Sequence, residues 1–298
     1  CPVLVAAKLD GRTVATQELT VTALPYDWWE GLSGNAERLA AFVRPRLGDC
    51  AAVLAEAGKR LKRWEKSGEV DGYTGTDKNG VRDIAAAIFA AIKGYSPEQE
   101  GTCDLSAPVR AARPGSILKE RKATALELAT FAAACLEEAH LNPVLAVGKS
   151  GVAVGLWLYE SCFLDPVTDD ADIVSKYVSE GINNLSFFDV EDLFSASNAA
   201  FTPSEKHFRQ KLSGGMYEYF VDIRRCRMDG VRPCPLRGKG VKGYELLKEE
   251  EMSSDAAPAP IPSFRSLKLD VKQPKNKQWE RRLLDLTTKN ALLSFTGK

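Results

Sequence analysis

Apolar residues recur at intervals of three and four along three stretches of the first hundred residues, and this is the period of an α-helix. The stretches are 35–43, a run that follows Asp49 and a run that follows Asp77, and an Asp in that place caps a helix start. Their apolar positions are Leu39, Phe42 and Val43 in the first, Val53, Leu54, Ala57, Leu61 and Trp64 in the second, and Val81, Ile84, Ala85, Ile88, Phe89 and Ile92 in the third. We predict three helices, separated by Pro45 and by the glycine-containing segment 72–75.

A strand pattern precedes these helices. Residues 3–8 and 13–24 are rich in Val and Thr, and Asp10-Gly11 between them is a strong signal for a hairpin turn. We therefore predict a short β-rich N-terminal piece over 1–32. Because two strands alone are marginally stable, we expect this piece to be the end of a small β domain.

The middle of the chain combines a fully apolar helix with short strands. Segment 123–139 is apolar nearly all round, which is typical of a helix buried in a core. The fold class is predicted as α+β, with 33–245 forming one domain. We predict a loop over 96–114, helices near 170–180 and 204–212, and strands at 143–147, 152–159, 162–164, 184–189 and 216–223.

The composition changes towards the end of the chain. Residues 246–264 are rich in Glu, Ser, Ala and Pro, which is typical of a linker rather than of a packed core. Residues 265–298 carry nine Lys and Arg against three Asp and Glu, with apolar residues at helical spacing. We predict that they are the start of a following helical domain.

Charge and cysteine content narrow the function classes. The 298 residues include 40 Lys and Arg and 40 Asp and Glu, so the formal net charge is zero. This excludes a strongly basic nucleic-acid coat protein. No apolar run approaches the ~18–20 residues of a membrane span, and we expect a cytoplasmic protein with no membrane partner. Seven scattered cysteines without a C-x2-C pair, and only two histidines, predict free thiols and neither a metal site nor a cofactor.

The apolar helix and the strands after it carry motifs of a known family. Ala123-Thr124-Ala125-Leu126-Glu127-Leu128 is similar to the Gly/Ala-Thr-Cys-Leu-Asp-Leu opening of the nucleophile helix in transglutaminase-like cysteine hydrolases. Gly155-Leu156-Trp157-Leu158 resembles the end of the strand that carries their His. The resemblance implies a degenerate transglutaminase-like (papain-like) core with a helical N-terminal extension. In that family a helix dipole lowers the thiol pKa, and a His and a carboxylate come from the next strands.

The resemblance also implies that the catalytic Cys and His are replaced. Its register places Ala125 at the Cys position and Gly151 at the His position, and we expect these two positions to face each other across a pocket. The acid corresponds to Asp189 or to Asp165, and we favour Asp189. An Ala cannot attack a carbonyl, and a Gly cannot accept a proton. Loss of the Cys has two explanations, natural loss or a deliberate Cys→Ala replacement, and the additional loss of the His favours natural loss.

A wider resemblance is to the N-terminal region of large bacterial proteins of helicase/nuclease type that are linked with anti-phage defence. It rests on 24–32, 42–45, 220–227 and 279–295, the last of which resembles an uncharacterised domain ahead of a superfamily-one helicase motor. The resemblance implies that the full-length protein is an ATP-dependent helicase or nuclease, although this chain contains no phosphate-binding G-x-x-x-x-G-K-[ST] loop. The leading interpretation is a non-catalytic recognition or scaffolding module. Its expected partners are other domains of the same polypeptide, a protein partner or a phage trigger.

Two alternatives stay open at this point. The first is an active cysteine hydrolase or transglutaminase-like enzyme that uses a different thiol. Cys103, in Gly101-Thr102-Cys103-Asp104-Leu105, is a superficial candidate, whereas Cys135 is predicted to be a core residue of the apolar helix. The second alternative is weak DNA binding through phosphate contacts. Its candidate residues are Arg224, Arg225 and Arg227, predicted on a strand, and Arg281 and Arg282 in the basic tail.

Overall fold

We describe a computed structural model of the chain, covering residues 2–20, 23–32, 34–98, 104–112, 117–194 and 200–235 and the backbone of 237–240 and 243–246. The chain divides into two compact units, Cys1–Met252 and Ser253–Lys298, and the described residues all belong to the first. The predicted helical domain 265–298 and nearly all of the predicted linker 246–264 therefore lie outside the described residues.

The chain begins with a two-stranded antiparallel hairpin. Strand β1 (Pro2–Leu9) pairs with β2 (Arg12–Thr20), as the Asp10-Gly11 signal predicts. Asp10 and Gly11 have φ values of 48° and 78°. Positive φ at both central residues is what a type I′ turn requires, and Asp-Gly adopts it readily. Every residue of the two strands is exposed.

Three helical segments follow the short strand β3 (Trp28–Trp29), which confirms the predicted positions, but the first of them is a 3-10 helix and not the α-helix that its period indicated. The 35–43 stretch forms the 3-10 helix Ala36–Phe42, and the next two form α1 (Gly48–Arg63) and α2 (Lys78–Ile92). Asp77 caps α2, because its Oδ1 accepts a hydrogen bond from Gly80 N at 2.8 Å. Asp49 lies inside the first turn of α1 instead of before it, so the helix begins two residues earlier than the cap signal indicated.

The segment predicted as a loop over 96–114 contains two short strands in its described part. These are β4 (Ser96–Pro97) and β5 (Val109–Arg110). The short helix α3 (Ile117–Glu120) and strand β6 (Lys122–Ala123) follow. Strand β5 pairs with β3, and β4 pairs with β6, so this part of the chain is held by backbone hydrogen bonds.

The centre of the unit is a five-stranded antiparallel sheet beside an apolar helix. The elements in chain order are α4 (Ala125–Glu138), β7 (Pro143–Val147), β8 (Val152–Trp157), β9 (Val167–Thr168), α5 (Ala171–Tyr177), β10 (Leu185–Asp189), the 3-10 helix Val190–Phe194, α6 (Phe201–Ser213), β11 (Tyr219–Asp222) and α7 (Ile223–Met228). The spatial order of the strands is β10-β8-β7-β11-β9. A further hairpin joins β12 (Arg237–Gly240) to β13 (Gly243–Leu246).

Helices cover both faces of the sheet, which explains why its strands are apolar without alternation. Leu145, Val154 and Phe188 pack in one core with α1, α2 and α4. Their neighbours on the opposite face, including Ala146 and Phe187, pack in a second core with residues of α5 and α6. Successive strand residues point to opposite faces, so two buried faces favour apolar residues at most positions. Helices α1 and α2 are thus part of the main core and not a separate extension.

Two strand predictions are wrong in detail. Residues 162–164 are not a strand; the edge strand β9 forms at Val167–Thr168 instead. The predicted strand 216–223 ends at Asp222, whose side chain accepts a hydrogen bond from Arg225 N at 2.9 Å and so caps α7. Among the described residues, no helix combines the length and the apolar composition needed to cross a bilayer.

Candidate functional site

The N-terminus of α4 is where the family resemblance places a nucleophile, and a capping box occupies it. Ala125 is the first residue of the helix, behind Thr124 at the N-cap. Thr124 Oγ1 accepts from Glu127 N at 3.2 Å, and the Glu127 carboxylate accepts from Thr124 N at 2.9 Å. The two side chains therefore satisfy two of the backbone donors at the start of the helix, those of Thr124 and Glu127.

The segment 104–112 packs against the start of α4 through an ion pair and a hydrogen bond. Arg110 bridges two carboxylates, Glu127 on α4 and Glu98, and the Glu127 side chain is fully buried. Thr130 Oγ1 donates to Ala111 O at 2.6 Å, which adds a second attachment one turn further along the helix. The start of α4 is consequently a packed joint that includes a buried ion pair.

Gly151 does not meet Ala125, which corrects the expectation that the two positions face each other. A Cβ atom built on Gly151 would lie 2.9 Å from Met216 Cγ and 3.7 Å from Tyr217 Cε1. Both residues pack in the core on the α6 side of the sheet, whereas Ala125 packs in the core on the α4 side. The neighbouring Val152 is the residue that faces α4. A register difference of one residue moves a strand side chain to the other face.

Asp189 lies on the same side of the sheet as Gly151. Its carboxylate is 2% exposed, 2.6 Å from Lys211 Nζ and 3.5 Å from the Tyr217 hydroxyl, which donates to it. Burial raises the pKa of the Asp189 carboxyl above its ordinary value, and the hydrogen bond from Lys211 opposes the rise. The alternative acid, Asp165, is exposed. The structure thus brings Gly151 and Asp189 around Tyr217 but leaves Ala125 on the other face.

Four of the described thiols lack the environment of a nucleophile. Burial raises the pKa of Cys135, of Cys162 and of Cys234, and it raises the pKa of Cys226 to about 12. Reactive cysteines have depressed pKa values, produced by nearby positive charge or a helix N-terminus. Cys135 lies fully buried in α4, which confirms its prediction as a core residue. The candidate Cys103 lies outside the described residues.

Both histidines pair with carboxylates. His140 Nδ1 lies 2.7 Å from Asp71 Oδ1, and His207 Nδ1 lies 3.0 Å from Asp192 Oδ2. Neither ring has a hydrogen bond to a thiol in the part of the chain that is described. In the same residues, no group of three or more His, Cys, Asp and Glu side chains is placed to hold a metal ion.

The arginine cluster lies on the short helix α7, not on a strand as predicted. All five N–H groups of Arg227 are used within the protein: two bind Glu137, and the others bind the carbonyls of Ala40, Val43 and Val231. An arginine has five N–H donors in total. This side chain therefore has none left for a phosphate.

The other arginines predicted to bind nucleic acid either pair with carboxylates or lie outside the described residues. Arg224 pairs with Glu160 at 3.3 Å, and Arg225 pairs with Asp229 at 3.2 Å. Arg281 and Arg282 lie outside the described residues. The described arginines of this set are thus held by carboxylates and do not form an open row along a strand.

Two helix caps were not predicted, although the sequence carries the signal for each. Thr124 and Glu127 have the spacing of a capping box ahead of an apolar run. Asp222 precedes the run that forms α7, which is a helix-cap signal of the same kind as Asp77. Arg110 had no such signal, because its partners Glu98 and Glu127 are brought together only by the fold.

Comparison with known proteins adds no relative on which to base an assignment. The chain matches no protein-family model, no curated protein and no solved structure. The residues and their geometry are therefore the basis for a functional proposal.

Proposed function

We propose that this chain is a non-catalytic recognition or scaffolding module built on a degenerate transglutaminase-like core. The observation that carries the proposal is the start of α4, where Ala125 stands at the position of the family's nucleophile. Ala125 is the first helical residue there, and the capping box of Thr124 and Glu127 takes up the helix terminus. Arg110 then pairs with the buried Glu127 carboxylate. An Ala side chain at this position supplies no nucleophile.

The order of elements supports the transglutaminase-like part of the proposal. The apolar helix α4 is followed by β8, and β10 pairs with β8 so that Asp189 lies opposite Ala153 near the beginning of β8. A nucleophile helix, a base-bearing strand and an acid-bearing strand follow in the same order in the family that the sequence resembles. The displacement of Gly151 to the α6 face is a departure from that family arrangement.

Electrostatics at the helix start also disfavour nucleophilic chemistry. A thiol at a helix N-terminus is activated because the dipole favours its anion. Here the carboxylate of Glu127 lies in the first turn and is paired with Arg110. Because that carboxylate is paired and the family motif also has an acid at this place, the decisive difference is the missing imidazolium, since Gly151 stands at the His position.

The setting of the module follows from the sequence resemblance and forms part of the proposal. We place it in the N-terminal region of a large bacterial defence protein with helicase and nuclease parts, acting in the cytoplasm. Its role there is to hold other domains of the polypeptide or to recognise a protein partner or phage trigger. Hydrolysis and strand translocation belong to the other parts of such a protein.

Thiol chemistry at position 125 tests the proposal. In Ala125→Cys we expect the pKa of the new thiol, measured from the pH dependence of iodoacetamide alkylation, to be no lower than the ordinary value of about 8.5. Ala52→Cys, at an exposed position of α1, is the matched control. The unaltered chain should show no peptide hydrolysis or transamidation.

The contrary results are equally specific. A thiol pKa below about 7 in Ala125→Cys would show an activating site. Turnover by the unaltered chain that alkylation abolishes, and that Cys103→Ser removes, would establish the alternative cysteine hydrolase. Either result would contradict a non-catalytic module.

A further inference from the structure

A cavity of about 260 Å³ lies between α2, α6 and the beginning of β10. Its wall carries four cationic side chains and two carboxylates. The cations are Lys78, Arg82, Lys206 and Arg209, and the carboxylates are Glu180 and Glu205. None of these residues belongs to the start of α4, so an inference drawn here goes beyond the proposed function.

Arg82 is held in a fixed orientation at this cavity. Its Nε and Nη2 groups bind the Glu205 carboxylate, and Nη2 also donates to Thr202 Oγ1 at 3.0 Å. Ser186 donates to Glu205 Oε1 at 2.6 Å from the buried start of β10 and so fixes the carboxylate. Among the described residues, no acceptor takes the two N–H groups of Arg82 Nη1. A pre-oriented guanidinium edge with open donors is suited to an anionic oxygen.

Lys78 is also fixed, and its charge is not neutralised. Its Nζ donates to Ile182 O at 3.0 Å and to Asn184 Oδ1 at 2.7 Å, and lies 5.5 Å from the centre of the Tyr159 ring. Both acceptors are neutral, so the ammonium is oriented without an ion pair in the described part of the chain. One of its three N–H groups remains for a ligand.

The other two cations increase the positive character of the wall. Lys206 is one turn from Thr202 on α6, and no carboxylate partner for it occurs in the described residues. Arg209 Nη1 lies 3.5 Å from Glu180, whose side chain is 89% exposed, and such an exposed pair contributes little. Four positive groups against two negative ones leave an excess of two positive charges around the cavity.

We propose that this cavity binds a small phosphate monoester through Lys78, Arg82 and Lys206. A monoester is a dianion near neutral pH, which matches the two uncompensated charges. The open Nη1 edge of Arg82 and the ammonium of Lys78 supply directed donors for its oxygens. The volume is just below the ~300–1,000 Å³ of pockets for drug-sized ligands. It accommodates a phosphate with a few attached carbons and is too small for a nucleic-acid duplex.

Calorimetric titration with ribose 5-phosphate, inorganic phosphate and ribose tests the site. We expect saturable binding of ribose 5-phosphate at one site per chain and no binding of ribose. Binding of inorganic phosphate alone with equal affinity would identify free phosphate as the ligand and overturn the ester. Absence of saturable binding of either phosphate at millimolar concentrations would overturn the site.

Variants of the cations locate the binding on the molecule. Lys206→Gln and Lys78→Gln should each weaken binding about tenfold or more, since each removes a charged hydrogen-bond donor. Lys176→Gln, which removes an exposed lysine on the neighbouring helix α5 outside the cavity, is the matched control. Circular dichroism establishes that each variant is folded. Unchanged affinity in folded Lys206→Gln and folded Lys78→Gln, or an equal loss in Lys176→Gln, would overturn the assignment.

Discussion

Asp222 shows how a single buried carboxylate organises its surroundings. Its side chain is fully buried, and its Oδ2 accepts from Trp157 Nε1 at 2.8 Å and from Phe163 N at 2.9 Å. Its Oδ1 accepts from Arg225 N. All three partners are donors, so the residue joins the end of β8, the following loop and α7 only as an acceptor.

Asp222→Asn should therefore destabilise the protein by about 1–3 kcal/mol, because its amide NH2 must face at least one donor. Burial raises the pKa of the Asp222 carboxyl, so the folded state holds its proton more tightly than the unfolded state does. A raised carboxyl pKa makes the wild-type stability fall as pH rises through the interval between the unfolded and folded values. Asn has no proton to lose, so the deficit of the variant should be larger near pH 4 than near pH 7.

Urea unfolding of wild type and Asp222→Asn at both pH values measures this difference. A deficit that grows with pH would mean that the three donors outweigh burial and that the folded pKa of Asp222 is depressed. The sign of the change therefore decides between the two effects.

Arg110 should also matter more than a surface ion pair does. Arg110→Ala leaves the fully buried Glu127 carboxylate without its guanidinium, and we expect a loss of about 3 kcal/mol in the free energy of unfolding. Arg38→Ala is the control, because Arg38 is 66% exposed where it pairs with Glu30, and its loss should stay below about 1 kcal/mol. Equal losses in chemical denaturation would show that the helix start is not a packed joint.

At the scale of elements, the turn between β7 and β8 packs closely against the backbone of the segment ahead of β11. A Cβ atom on Gly148 would lie 1.9 Å from the carbonyl oxygen of Met216, which is backbone and cannot rotate away. Gly148→Ala should thus cost about 2–3 kcal/mol, since the turn and the strand must separate.

Gly48→Ala provides the comparison for that substitution. Gly48 begins α1 and has open space around a Cβ atom, so Ala there should be neutral or stabilising by up to about 1 kcal/mol. Thermal unfolding of the two variants separates steric conflict from the general effect of replacing a glycine. A Gly148→Ala protein as stable as Gly48→Ala would contradict the close approach.

Helix α7 changes the expectation for DNA binding. Arg224 is half exposed, whereas the five donors of Arg227 are all engaged inside the protein. Arg227→Gln should lower stability by several kcal/mol, because it removes donors from buried acceptors. Arg224→Gln should leave both stability and affinity for duplex DNA nearly unchanged in an anisotropy titration. A folded Arg224→Gln with strongly reduced DNA affinity would restore nucleic acid as a ligand.

Elements whose signals are local could be predicted from the sequence. Strand β7 has the predicted limits, α2 follows its Asp77 cap, and the first hairpin turns at Asp10-Gly11. Helix α7 was missed because Asp222, Ile223 and the arginines were interpreted as a continuing strand. A cap and a strand end have similar backbone conformations, and only the following residues distinguish them.

At the scale of the whole molecule, the candidate site shows that periodicity predicts an element but not which of its faces a given residue occupies. The sequence motifs locate α4 and β8 correctly as elements. Which face of β8 a residue occupies depends on the start of the strand, and a shift of one residue exchanges Gly151 for Val152. The cavity between α2 and α6 had no signal at all, because Lys206 is more than a hundred residues from Lys78 and Arg82 in sequence and comes near them only through packing.

The ties of Arg227 also constrain the order in which the chain is completed during synthesis. Its guanidinium binds the carbonyl of Val43, 184 residues earlier, and nearby Cys234 N donates to Ala41 O at 2.7 Å. At about 5–20 residues per second, translation takes roughly 10–40 s to cover that separation. During this interval the Ala36–Phe42 segment has been made but its C-terminal partners have not. On the ribosome, those carbonyls therefore stay open to water during this interval, and their final hydrogen bonds form only after the chain has emerged as far as Cys234.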